Sequence, residues 1–153
     1  MQHELIAAAG ALGVTIATAE SITAGLVASK LAEVPGASAV LRGGIVAYAT
    51  DVKRSVLGLD QAILEHVVSE PVARAMAQAV SSVLAADIGV ATTGVAGPDS
   101  LDGQPPGTVW LAVYDARNGK TKSKLLQIAG DRSHIREMSS NEAIALVMEL
   151  LSS

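Results

Sequence analysis

Ser21 and Thr23 lie in the segment Ala19-Glu20-Ser21-Ile22-Thr23-Ala24-Gly25, between an apolar run at Val14 to Ala17 and a stretch, Leu26 to Val34, with apolar residues at helical spacing. A strand that turns into a helix leaves backbone N–H groups unpaired at the positive end of the helix dipole. A hydroxyl at such a turn can attack a substrate while those N–H groups hold an anion or a developing oxyanion. The competing reading is that Ser21 only caps the helix, a task serine performs well.

Two further loops carry polar residues after a strand: Tyr48-Ala49-Thr50-Asp51-Val52-Lys53 and Thr92-Thr93-Gly94-Val95-Ala96-Gly97-Pro98. Ligands of open α/β sheets bind outside the carboxyl ends of parallel strands, so the three loops are expected to converge on one cleft. Gly94 and Gly97 permit a tight turn and close approach of backbone to a ligand. Pro98, Pro105 and Pro106 stiffen the loop that follows.

The choice of nucleophile is narrow. There is no cysteine, and His3, His66 and His134 lie in predicted helices, none beside a glycine-rich loop. A Ser-Lys pair is the natural replacement for Ser-His-Asp. Lysine is a poor base at its free pKa of ~10.4, but desolvation in a cleft lowers that value. Lys53 follows a strand end and is the candidate; its competing role is a solvated helix lysine paired with Asp51 or Asp60. Gly130-Asp131-Arg132 precedes a helix that Asp131 can cap, leaving Arg132 to clamp a phosphate, with Arg136 one turn later on the same face. No His/Asp/Glu set has metal-ligand spacing, and Asp99 and Asp102 read as solvated loop residues. Neither a metal nor a cofactor is expected.

The elements that must position these groups follow from periodicity and punctuation. Helices are predicted at Glu4 to Leu12, Leu26 to Val34, Val52 to Leu57, Asp60 to His66, Glu70 to Ala86 (capped by Ser69, with Pro71 in its first turn) and Ser133 to Leu151. Strands are predicted at Val14 to Thr18, Ala39 to Ala49 with a bulge or close contact at Gly43-Gly44, Ile88 to Thr92, and Thr108 to Tyr114 paired with Lys120 to Ile128 around Asn118-Gly119. The class is a single α/β domain, residues 1–153: a three-layer α/β/α sandwich with a mixed central sheet. Half of the 153 residues are hydrophobic, yet the only aromatics are Tyr48, Trp110 and Tyr114, so the core must be aliphatic.

A net charge of −4 with no Lys/Arg cluster argues against nucleic acid or an acidic membrane as partner. No apolar run reaches the ~18 residues that span a bilayer, and the amino terminus lacks a signal-peptide pattern, so a cytoplasmic location is expected. The alanine-rich helices suit association into a homo-oligomer.

Ala19-Glu20-Ser21 with Thr23 and Gly25, Gly43-Gly44…Tyr48…Lys53, Val68-Ser69-Glu70, Thr93-Gly94-Val95-Ala96-Gly97-Pro98, Pro106-Gly107-Thr108-Val109 and Gly130-Asp131-Arg132 occur in one order and spacing. Together they resemble the carboxy-terminal domain of the competence/damage-inducible protein CinA, over about residues 4 to 151. That family comprises nicotinamide-nucleotide amidohydrolases, which convert nicotinamide mononucleotide to nicotinate mononucleotide and ammonia. The resemblance implies Ser21 as nucleophile, Lys53 as base, and Tyr48, Thr93 and Arg132 lining the site; Thr23, Gly94 and Gly97 are the further expected substrate contacts.

The family usually reads Cys-Thr-Gly-Gly after the serine, where this chain has Ile22-Thr23-Ala24-Gly25. Many members also carry an amino-terminal domain resembling molybdopterin-binding proteins, so the resemblance is to the stand-alone form. Ile22 and Ala24 keep a second reading open, a nucleotide-binding module without turnover.

Overall fold

In the computed structural model, which describes all 153 residues, the elements run α1 (Gln2–Leu12), β1 (Ile16–Glu20), α2 (Leu26–Ala32), β2 (Leu41–Val46), α3 (Thr50–Ser55), α4 (Glu70–Val83), β3 (Ile88–Gly94), β4 (Thr108–Asp115), β5 (Lys120–Gln127) and α5 (Arg132–Leu151). The five strands form one sheet in the order β2-β1-β3-β4-β5. β1 is parallel to β2 and β3, whereas β4 and β5 are antiparallel additions. The α/β/α sandwich with a mixed sheet is therefore the observed architecture. One core cluster joins the sheet to α1, α2 and α5; the second joins its other face to α4, with Leu57, Leu59 and Leu64.

Most boundary differences have local causes. β1 starts at Ile16 rather than Val14, because Gly13 turns left-handed and Val14 N–H bonds Ala9 O to close α1. It ends at Glu20, so Ser21 is the first residue beyond it. β2 is shorter than expected, and a 3₁₀ turn at Ala37–Ala39 precedes it. The Gly43-Gly44 irregularity is present: the β1–β2 register shifts there, and a Cβ on Gly44 would lie 2.4 Å from Thr18 Oγ1. The predicted helix at Asp60 to His66 is only a 3₁₀ turn, Ile63–Glu65, as Asp60 takes the Ala62 N–H into a tight turn. Ser69 and Asp131 cap α4 and α5 as expected, accepting from Val72 and His134 N–H. β3 runs to Gly94, two residues beyond the predicted end, which puts Thr92 and Thr93 at a strand end beside Ser21.

Two layers approach closely at Gly89, where a Cβ would fall 1.9 Å from Ala77 O in α4. Contact this tight lets the small side chains of β3 and α4 fill the space between them, with Trp110 and Tyr114 of β4 packed against the same cluster. Gly89→Ala must push α4 off the sheet, and it should cost about 1–3 kcal/mol in urea unfolding. A loss below ~0.5 kcal/mol would show that α4 shifts freely.

Candidate active site

Ser21, Lys53 and the β3 loop meet at the carboxyl ends of the parallel strands. Ser21 N–H donates to Thr92 O at 3.0 Å, which locks the residue against the end of β3. Lys53 comes from α3, the helix that follows β2, and is the largest fully buried side chain of the protein. Its Nζ lies 2.9 Å from Ser21 Oγ, 2.8 Å from Ala47 O and 3.0 Å from Tyr48 O. The solvated role is thus ruled out: Lys53 pairs with neither Asp51 nor Asp60. Burial without a carboxylate disfavours the ammonium and brings its pKa down from 10.5 to about 8.

The three partners also fix what neutral Lys53 would do. A neutral amine has two hydrogens and one lone pair. The two carbonyls can only accept, so they take both hydrogens. The lone pair then faces Ser21 Oγ, the one partner that can donate.

The capping role first weighed for Ser21 falls to Glu20 instead. Its carboxylate, 1% exposed, accepts the N–H groups of Gly25, Val27 and Ala28 and the hydroxyls of Thr18 and Thr23. Those donors include the first N–H groups of α2, so Ser21's hydroxyl is free for Lys53. Glu20 O also accepts Ala47 N–H at 2.9 Å, and Ala47 O in turn holds Lys53. Glu20 is thus the functional residue that the sequence reading passed over. Its one signal was a carboxylate at the end of an apolar strand and just before a helix start, where the dipole favours it.

The turn itself is strained. Ala24 adopts φ 48 and Gly25 φ 99, both left-handed, and alanine there carries a Cβ penalty of ~1–2 kcal/mol. That explains why glycine suits position 24. Ile22, 2% exposed, belongs to the core cluster of α1, α2 and α5 and also reaches the cavity wall. Arg136 donates to Ile22 O at 3.0 Å and Thr23 O at 3.1 Å, pinning the turn from α5. It does not line the cavity, which corrects its expected pairing with Arg132. The N–H groups of Ile22 and Thr23 find no acceptor in the protein.

Above Ser21 opens a cavity of about 700 Å³. Tyr48, Thr93, Gly94, Gly97 and Arg132 all line it, along with Ser21. Thr23 does not: it is fully buried, and its hydroxyl is committed to Glu20 at 2.6 Å and Thr92 at 2.8 Å. Thr93 Oγ1 donates to Val67 O at 2.9 Å, so it braces the wall from below. Arg132, at the start of α5, reaches across the mouth to Gly97 O at 2.6 Å and Tyr48 Oη at 2.9 Å. A guanidinium has five N–H donors, so several remain for a ligand. None of the three histidines lines the cavity.

The CinA C-terminal domain family model matches residues 1–151. The chain belongs to this family. It is 48% identical over 139 residues to a CinA-like protein of Frankia casuarinae, covering 90% of this chain and 32% of that protein. It is 43% identical over 141 residues to a putative competence-damage inducible protein of Geobacillus kaustophilus, covering 91% of this chain and 34% of that one. The chain thus spans about a third of the length of these curated relatives. Among solved structures, the competence/damage inducible protein CihA of Agrobacterium tumefaciens superposes with a TM-score of 0.94 at 33% identity, covering 99% of this chain and 93% of that one. The competence damage-inducible protein A of Klebsiella pneumoniae gives 0.91 at 33%, covering 99% and 97%.

The state of Lys53 should be visible in stability. Its folded pKa of about 8 lies below the unfolded 10.5, so the unfolded chain binds more protons between these values and stability rises with pH across that window. Below pH 8 the burial penalty is fully present. Lys53→Met removes the group, and the native-minus-variant stability difference should grow by roughly 2–4 kcal/mol between pH 7.5 and 10.5. Parallel urea curves at the two pH values measure it; a constant difference would mean that Lys53 titrates normally.

Proposed function

We propose that this chain is an amidohydrolase that hydrolyses the carboxamide of nicotinamide mononucleotide through a Ser21–Lys53 dyad. The observation that carries this reading is the Lys53 amine, desolvated and held by two carbonyls with its remaining position 2.9 Å from Ser21 Oγ. The substrate comes from the family resemblance. It is supported by a cavity of mononucleotide size with Arg132 at its mouth.

Ser21 Oγ attacks the carboxamide carbon as its proton passes to the Lys53 lone pair. The carbonyl oxygen becomes an oxyanion, and the unpaired N–H of Ile22, next to Ser21 on the cavity wall, is the nearest donor in sequence to stabilise it. The C–N bond breaks, Lys53 returns the proton to the leaving nitrogen, and ammonia departs. The acyl ester on Ser21 is then attacked by water, whose proton goes to Lys53. Collapse of that second intermediate frees the carboxylate and restores the serine hydroxyl.

Ammonia release from nicotinamide mononucleotide by the purified chain tests the reading directly. Ser21→Ala should remove turnover while leaving binding and the melting curve nearly unchanged; retained turnover would return Ser21 to a structural role. Lys53→Arg should be as damaging as Lys53→Ala, since arginine stays protonated. In the native chain kcat/KM should rise with pH through an apparent pKa near 8, the value at which Lys53 loses its proton. A profile flat from pH 7 to 9 would exclude Lys53 as the base.

Arg132→Ala should weaken kcat/KM for the mononucleotide by about 10- to 100-fold, as expected for loss of a charge-assisted contact to phosphate. For the phosphate-free riboside the loss should be small. Equal fractional losses for both substrates would make Arg132 only the clasp between Tyr48 and Gly97.

A further inference from the structure

The charged side chains that line the cavity are one cation, Arg132, and two anions, Asp99 and Asp102. Lys53 lies behind Ser21 and does not line the cavity. A wall of this kind ill suits a ligand whose only charge is a phosphate. It suits a zwitterion with an anionic end at Arg132 and a cationic end elsewhere. Nicotinamide mononucleotide is such a zwitterion, because N-glycosylation makes its pyridine ring a permanent cation.

Asp102 is the carboxylate built to stay in place. It sits at the first corner of a two-residue turn closed by Leu101 N–H to Gln104 O at 3.1 Å and Gln104 N–H to Leu101 O at 2.9 Å. Asp102 at φ 54 and Gly103 at φ 71 have the left-handed pair of angles that an Asp-Gly turn favours. Its Oδ2 accepts Val68 N–H at 3.3 Å, and Oδ1 lies 3.5 Å from Nδ1 of the exposed His66. The side chain is 17% exposed. The adjoining Val67 lines the cavity, and its carbonyl holds Thr93, the neighbour of the Thr92 that locks Ser21. Asp102 is therefore tied to the reaction centre by a short chain of hydrogen bonds, with lone pairs left over. Asp99 is exposed and makes no side-chain hydrogen bond that would hold it.

We infer that Asp102 is a specificity-determining residue that selects substrates by ring charge, favouring a cationic N-glycosyl pyridinium carboxamide over a neutral-ring isostere. This rests on the amidohydrolase reading for its substrate class. The same carboxylate disfavours the product. Hydrolysis turns a neutral amide into a carboxylate and puts a new negative charge in a cavity that already holds Asp102, which promotes release.

The test separates ring charge from catalysis by measuring binding to the full chain carrying Ser21→Ala, alone and combined with Asp102→Asn. Calorimetric titrations use nicotinamide mononucleotide, benzamide mononucleotide (the same shape with a neutral ring) and nicotinate mononucleotide. With Asp102 present the cationic amide should bind about 5-fold tighter than its neutral isostere, the upper end of the range for an exposed charge pair. Asp102→Asn should shrink that ratio to within about 2-fold and should tighten the nicotinate nucleotide, a gain that mere structural damage does not produce. Equal weakening of all three ligands would overturn the proposal, as would no preference for the cation with Asp102 present. This second comparison needs no Asp102 variant and keeps the proposal open to refutation even if Asp102→Asn fails to fold. Failure of ammonia release with the ring-charge preference intact would sink hydrolysis alone; ammonia release without that preference would sink charge selection alone.

Discussion

A lysine amine sealed from water with no carboxylate beside it is the constraint around which the rest of this structure is arranged. Burying an ammonium without a counter-ion is costly. The cost here is met partly by shifting the pKa to about 8 and partly by three short contacts, two to carbonyls and one to a hydroxyl. Those contacts work only if Ala47, Tyr48 and Ser21 hold still relative to one another. They sit just past the ends of the adjacent parallel strands β1 and β2, and the Glu20–Ala47 backbone bond joins the two strand ends. The glycines of β2 let that strand approach β1 closely enough, with Gly44 against Thr18. Sheet order, strand ends and a bulge thus hold one arrangement of Lys53, two carbonyls and Ser21.

The second requirement is a serine hydroxyl with nothing else to do. A serine before a helix normally spends its oxygen on the first N–H groups. Here Glu20 reaches past Ser21 to take them, and it also receives Thr18 and Thr23. Arg136 holds the opposite side of the turn by two carbonyls. The turn is over-determined from both sides, which is how a left-handed alanine at position 24 persists.

Much of this was legible in the sequence, though unevenly. The Asn118-Gly119 hairpin, the Ser69 and Asp131 caps and the α/β layering follow from local chemistry, and local chemistry is what sequence patterns record. Ser21 and Lys53 were legible as candidates because cysteine is absent and the histidines lie elsewhere. Their roles could not be settled at that level: a helix cap and a surface lysine use the same residue types. What decides is burial, and burial depends on how strands pair. The same holds for Thr23 and Arg136. Each looked like a ligand contact by its neighbours in sequence, and each is consumed by a partner far along the chain, Thr92 and the carbonyls of Ile22 and Thr23. Glu20 escaped notice because a carboxylate ending an apolar strand has no distinctive pattern until its five donors are seen together.

The two departures from the family pattern weigh less once their places are known. Ile22 contributes to a core cluster as well as to the cavity wall, and Ala24 strains the turn without touching the dyad contacts. A module that only held a nucleotide would need Arg132, Tyr48 and the glycine-rich wall. It would gain nothing from a desolvated lysine aimed at a serine, because neither group is needed to grip a phosphate or a sugar. Such a lysine lowers stability at neutral pH and is easily replaced by an apolar residue of similar volume. Its presence, with two carbonyls oriented to leave one position toward Ser21 Oγ, favours chemistry over binding alone.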